Sequence, residues 1–292
     1  MTPAELIADC AAKLTSAGVS FGQGTLYAED EAAWLVLWGM GLPLDTDTSL
    51  LLKEVEDQQM SSVFALLEKR IQTRQPLAYL TGEAWLQGVS FHVDQRCLIP
   101  RSLIAETIAQ GSFDPWLSPD STRALDVCTG GASLAVLLAL AYPQLQVDAS
   151  DISPQALEVA HINISRHGLQ DRIHAFVSDG LAQVQGVYDL IVCNPPYVNA
   201  QSMAALPAEF KAEPDLALAG GDDGMDFIRQ LFKQVADHLS ENGVLVLEIG
   251  HEIKHFTQAF PHLETLYLST SAGDEHVLLI TKQALEKKHD LA

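Results

Sequence analysis

Between residues 124 and 249 five short apolar runs recur, each separated from the next by a stretch of helical character or of turn residues. They cover residues 124–128, 146–150, 172–177, 188–193 and 243–249, and several are rich in β-branched side chains. Alternation of this kind means a parallel sheet with crossover helices, an α/β fold. Two further runs, 263–268 and 276–281, are joined by a short acidic turn and predict a hairpin at the sheet edge.

Upstream the period changes. Residues up to about 80 carry apolar positions at helical spacing and no strand alternation. Ala4, Leu6, Ile7 and Leu14 suit one helix and residues 32–37 a second. Two more are predicted over 49–58 and 61–73, set off by Leu42-Pro43-Leu44-Asp45 and stopped by Pro76. Trp34 and Trp38 lie four apart and share a helix face, which we read as core. Aromatic and β-branched residues around Gly88 then predict a β-hairpin over 84–98. Pro100-Arg101-Ser102 follows, placing a cation and a hydroxyl before a helix over 103–109. Both can reach a cofactor or substrate, and Ser102 also suits a helix cap. The division expected is a helical unit over 1–82, a linking hairpin over 83–99 and an α/β unit over 100–292.

Composition narrows the class. A chain of 292 residues with 48% hydrophobic content can bury a sizeable core in two domains. The start, MTPAELIADCAAKL, mixes acidic with apolar residues and does not read as a secretion signal, and no run reaches membrane-spanning length. Cys10, Cys97, Cys128 and Cys193 are far apart in sequence and read as small buried hydrophobes, which fits a reducing cytoplasm. The net charge of −21 argues against free affinity for nucleic acid. It suits solubility, or steering toward a basic protein.

Chemistry concentrates at the strand ends. The run 188–193 closes on Asn194-Pro195-Pro196-Tyr197. Open α/β sheets bind ligands at the carboxyl ends of their strands, and prolines with fixed φ aim their carbonyls rigidly. The Asn194 side-chain oxygen and the Pro195 carbonyl can each accept one N–H of a planar –NH2 group, with Tyr197 covering its flat face. An amide nitrogen is a poor nucleophile, so fixed dipoles and in-line positioning are what it needs. A bare strand-ending turn would carry the same residue types.

The first strand runs into Asp126, then Thr129-Gly130-Gly131-Ala132 and a helix over 133–141. Glycine there lets the backbone approach a ligand closely. The spacing is neither that of a dinucleotide fingerprint nor that of a phosphate loop. Asp151 ends the second run, where a carboxylate can grip both ribose hydroxyls, and Ser178-Asp179 ends the third, suited to an adenine edge.

A glycine loop, two successive acids and Asn-Pro-Pro-Tyr, in that order, resemble the S-adenosylmethionine-dependent methyltransferases. The segments FGQGT, QPLAYLTGEAW, VDQRCLIPRS, DVCTG, DASDISPQALEVA, CNPPYV, EFKAEP and GGDDGMD extend the likeness over nearly the whole chain. Together they resemble the glutamine methyltransferases that modify translation proteins. Within that family, Pro100-Arg101-Ser102-Leu103 departs from the Pro-Arg-Pro-Glu of the release-factor branch and is similar to the branch acting on ribosomal large-subunit protein three. The resemblance implies a seven-stranded Rossmann-like methyltransferase sheet with a small N-terminal helical domain for substrate recognition and a linking hairpin. It implies cofactor contacts from Asp126, Thr129, Gly130, Gly131, Ala132, Ser133, Asp151, Asp179 and Asn194. Asn194, Pro195, Pro196 and Tyr197 would hold the glutamine amide, with Arg101 on the substrate side. S-adenosylmethionine would leave as S-adenosylhomocysteine, with no metal. Two departures stand out: Ala132 replaces the usual last glycine of the loop, where its methyl could crowd the methionine moiety, and His251-Glu252 stands where the branch tends to carry Asn-Ser.

Three rival readings compete. His251-Glu252-Ile253-Lys254-His255 formally matches a zinc-protease motif with Glu275 downstream, although it follows a buried strand directly. A nucleic-acid amino-methyltransferase would hold a base amino group in the same loop, but needs basic surface to grip phosphates. A non-catalytic interaction protein would explain Ala132 and leave Asn194 to Tyr197 unexplained.

Overall fold

A computed structural model describes residues 1–47 and 53–289. Its first layer is helical. α1 (Pro3–Ser16) opens on a capping box, in which Thr2 accepts the Glu5 N–H and Glu5 reaches back to the Thr2 N–H. Its buried side chains Leu6, Cys10 and Leu14 recur every four residues and face α2 (Ala28–Met40). α3 is one helix, Asp57–Thr73, where the sequence predicts two. Gln59 and Met60 offer no break, and Ser61 and Ser62 donate back to the carbonyls of Asp57 and Gln58, so hydroxyl residues are accommodated inside the helix. Of the helix predicted over 49–58, residues 49–52 lie outside the described residues, 53–56 are not helical and 57–58 belong to α3. Only half of the tryptophan pair is core: Trp34 is 8% exposed and Trp38 42%.

α4 (Leu77–Thr81) leads into β1 (Glu83–Leu86) and β2 (Val89–His92), an antiparallel pair. Gln87 and Gly88 both have positive φ, as a two-residue hairpin turn requires. The hairpin is pinned to the next layer by one buried amide. Asn163 accepts the His92 N–H at 2.7 Å and donates to the His92 and Gly131 carbonyls.

The sheet has seven strands: β3 (Arg123–Val127), β4 (Gln146–Asp151), β5 (Ile173–Val177), β6 (Tyr188–Cys193), β7 (Leu239–Glu248), β8 (Leu266–Thr270) and β9 (Gly273–Thr281). Their order is β5-β4-β3-β6-β7-β9-β8; the first five are parallel and β9 lies antiparallel between β7 and β8. The predicted edge hairpin is therefore present, with its second strand innermost. α5 (Ile104–Ala109), α6 (Ser133–Ala141), α7 (Pro154–Arg166), α8 (Ala200–Ala205), α9 (Asp226–Leu231), α10 (Ile253–Ala259) and α11 (Lys282–His289) complete the fold.

Both sheet faces are covered, which is why the strands read as continuous apolar runs. In β6, Leu190 and Val192 join the core that also contains α1, α2 and α6, while Ile191 and Cys193 join the core under α9 and α10. Strand order reverses at β3, where the chain proceeds outward to β4 and β5 and then returns to β6 on the other side. A crevice opens at such a switch point, outside the carboxyl ends of the strands. No described helix is long and apolar enough to cross a membrane.

Candidate active site

Two cavities meet at the carboxyl end of β6. The first, about 250 Å³, lies over β3, β4 and β5 and is lined by Gly130, Asp151, Asp179 and Asn194. Ile152, Leu216 and Phe227 supply apolar wall. The second, of similar volume, is lined by Arg101, Asn194, Pro195, Tyr197, Phe210 and Glu248 among others. Asn194 faces both. Its side-chain amide makes no hydrogen bond to any described residue, leaving its acceptor oxygen available.

The loop carrying it is held by backbone packing. Val198 bridges Ala219, and a side chain at Gly224 would overlap the Tyr197 carbonyl. A Cβ at Gly220 would come within 2.8 Å of the Pro196 carbonyl oxygen. Only glycine permits such close approach, which accounts physically for the segment GGDDGMD. The Tyr197 ring lies against Gly250, and its hydroxyl donates to Glu248 at 3.0 Å. Glu248 also accepts from the Ser102 hydroxyl (2.6 Å) and the Leu103 N–H (2.9 Å). Burial pushes the Glu248 carboxyl up, and burial beside that carboxylate holds the Tyr197 hydroxyl well above its usual range. Ser102 thus does two things, since its oxygen also accepts the Ile104 N–H at the start of α5.

On the other side, Asp151 accepts the Gly130 N–H at 2.8 Å and the Ser153 N–H at 2.9 Å. Burial raises its carboxyl, and the Ser153, Gly130 and Ile152 N–H groups oppose the shift. Each oxygen keeps a further lone pair for a ligand hydroxyl. Asp179 is exposed at the cavity edge. Of the glycine loop, Cys128 and Gly130 line this cavity, while Thr129, Gly131, Ala132 and Ser133 stand behind them. Thr129 donates to Asp126 at 2.6 Å, and the Ala135 N–H at the beginning of α6 donates to the same oxygen. Asp126 is buried beneath the loop, its carboxyl pushed up to about 7 by burial, with one oxygen unpaired. It braces the loop from inside. Ala132 has φ 64° and is fully buried, and its methyl packs into the core.

Arg101 lines the second cavity with its guanidinium committed to Glu213, at 2.7 and 2.8 Å. Glu213, Glu248, Leu216, Phe227 and the run Arg96-Cys97-Leu98 were not singled out as site residues, yet they line or brace the two cavities. Glu213 and Arg96-Cys97-Leu98 fall within the shared segments, whereas Leu216, Phe227 and Glu248 lie outside them and carry no sequence signal. The zinc motif comes apart: α10 starts at Ile253, so His251 stands outside it, and its ring meets His276 edge-on at 4.8 Å. Glu252 accepts from Asn199 and pairs with His255, while Glu275 is exposed. Among the described residues no group of three or more His, Cys, Asp or Glu could hold a metal ion.

Comparison with known proteins identifies relatives of the whole chain. The methyltransferase small domain family model matches residues 114–221. A ribosomal protein uL3 glutamine methyltransferase of Bordetella pertussis is 48% identical, over 96% of this chain and 95% of that one. Its counterpart in Neisseria gonorrhoeae is 43% identical, over 94% and 92%. Among solved structures, the hMettl16 catalytic domain in complex with MAT2A 3'UTR hairpin 6 superposes with a TM-score of 0.51 at 15% identity, covering 77% of this chain and 81% of that one. That likeness is one of fold.

Proposed function

The chain belongs to the ribosomal protein uL3 glutamine methyltransferases, and on that premise we propose how its two cavities divide the work. The protein transfers a methyl group from S-adenosylmethionine to the side-chain amide nitrogen of a glutamine in uL3. When bound, the cofactor would supply an electrophilic sulfonium methyl: the amide nitrogen would attack that carbon in line as its bond to sulfur breaks, the neutral thioether would leave, and one N–H proton would pass to solvent. The first cavity fits such a ligand. Asp151 offers oriented carboxylate oxygens, Ile152, Leu216 and Phe227 offer a slot for a flat ring, and the acidic lining suits a cation.

Asn194 and the Pro195 carbonyl accept the two amide N–H bonds. Tyr197, locked by Glu248, covers the amide plane, and the apolar side chains Leu98, Val198 and Leu218 exclude water. Fixed acceptors need no reorganisation as charge develops on nitrogen. The single observation carrying this reading is that Asn194, with its amide unpaired, faces both cavities.

The hydroxyl of Ser102 donating to Glu248 favours uL3 over release factors as substrate, because the release-factor branch has proline at that position. We further read residues 1–82 as the substrate-recognition unit, 83–99 as the link and 100–292 as the transferase unit, working in the cytoplasm where four free cysteines stay reduced. Incubating the protein with methyl-labelled S-adenosylmethionine and free uL3, release factor or RNA tests the whole reading. One methylated glutamine in uL3 is expected; label on RNA or release factor alone would reject it.

A further inference from the structure

Residues 206–218 form the wall common to both cavities. Pro214, Leu216 and Ala217 line the first, and Leu206, Phe210 and Ala217 the second. This wall has no regular element of its own beyond two three-residue 3-10 turns, Phe210–Ala212 and Asp215–Ala217. Without a ladder or a full helix, its position depends on outside anchors.

Those anchors come mainly from the N-terminal layer, the loop between α1 and α2 and the end of α3, joined by Ile99 and Arg101 from the segment after the hairpin. Glu209 and Glu213 of the wall are both buried, 2% and 3% exposed. Glu209 accepts the Ser20 N–H and the Arg74 guanidinium, each at 3.2 Å, and faces Arg70 at 3.7 Å. Glu213 accepts from Ile99, Arg101 and the Gln23 side chain. Gln23 donates at 2.9 Å both to the Glu213 carboxylate and to the Glu209 carbonyl, so one amide holds two points of the wall. It is 5% exposed and lines neither cavity.

We propose that Gln23 is a positioning residue for methyl transfer, through which the N-terminal helices set the wall shared by cofactor and glutamine. The inference rests on the cofactor reading of the first cavity. It makes the helical layer a structural part of the transferase site in addition to any role in recognising uL3.

The test is calorimetric binding of S-adenosylhomocysteine to the full-length protein with no uL3 present. Gln23→Met keeps length and removes both donors; each donated bond to a buried charged or carbonyl partner is worth enough that affinity should fall about tenfold. Hydrogen exchange over 206–218 should quicken in the same variant, and kcat on uL3 should drop more than KM rises. Arg74→Met, which of the two wall carboxylates releases only Glu209 and also frees the Ala17 and Gly18 carbonyls after α1, should give a smaller loss of the same kind and serves if Gln23→Met folds poorly. Lys13→Met, whose partners are Asp9 and the Phe64 ring, should leave binding at the wild-type level. If both wall variants bind within twofold of wild type while KM for uL3 rises, Gln23 serves recognition only and the proposal is overturned. If the wild type itself binds no S-adenosylhomocysteine, the cofactor reading fails first and takes the proposal with it.

Discussion

Replacing Asn194 by alanine isolates the step on which the chemistry turns. The side chain makes no hydrogen bond to a described residue and is half-buried between the cavities, so the fold loses almost nothing. A change of that kind stays within about 0.5 kcal/mol, or roughly 1–2 °C in Tm for a chain of this size. Cofactor binding loses part of one lining contact, at most ~1 kcal/mol, which limits the fall in S-adenosylhomocysteine affinity to about fivefold. Catalysis loses a fixed acceptor aimed at the reacting nitrogen, which should lower kcat by about 100- to 1,000-fold. The contrast between these figures is the content of the claim. Initial rates with saturating labelled S-adenosylmethionine and uL3 give kcat, and calorimetry gives the affinity. A kcat within tenfold of wild type, or an affinity loss as large as the rate loss, would refute the assignment of Asn194 to the amide.

Three other expectations follow from the buried chemistry around it. Ala132→Gly removes a left-handed alanine costing about 1–2 kcal/mol, but loses a buried methyl worth ~0.8 kcal/mol and loosens the unfolded chain by about 0.5–1 kcal/mol. The net change in denaturation stability should be under about 1 kcal/mol with cofactor affinity unaltered, and a tenfold gain in affinity would show that the methyl does crowd the ligand. Arg70→Met strands Glu31, bonded to Arg70 at 2.7 Å in the core of the helical layer, and should cost about 3–5 kcal/mol in urea unfolding. Asp126, whose carboxyl is raised to about 7 by burial against about 3.9 unfolded, contributes stability when protonated that is lost as pH rises through 7. Asp126→Asn should flatten the fall in stability between about pH 4 and pH 7, and an unchanged slope would place that titration elsewhere.

The strands were legible because a sheet covered on both faces demands apolar residues at every position, as at Leu190 to Cys193. The ligand-facing ends followed from that, since Asp151 and Asn194 are the residues at which runs stop. Helix boundaries were harder: nothing in the spacing of residues 49–73 announced that Ser61 and Ser62 would be absorbed by bonding back to their own helix. Buried acids were hardest. In sequence Glu209, Glu213 and Glu248 look like any of the 38 acidic residues, and their roles depend on donors 100 or more positions away in most cases, such as Gln23 and Ser102. The bond from Thr129 to Asp126 beneath the loop was equally invisible in the sequence, because three-residue spacing does not say which way either side chain turns.

The position of β9 has a consequence for how the protein comes into being. Because this last strand inserts between β7 and β8, the edge of β7 stays open until synthesis has passed Thr281. A nascent chain paused near residue 270 would display an unpaired, apolar edge, the kind of template on which neighbouring chains aggregate. Ala272 and His276, from the same late hairpin, also line the second cavity, so a chain released early would lack part of that cavity's wall as well as its sheet.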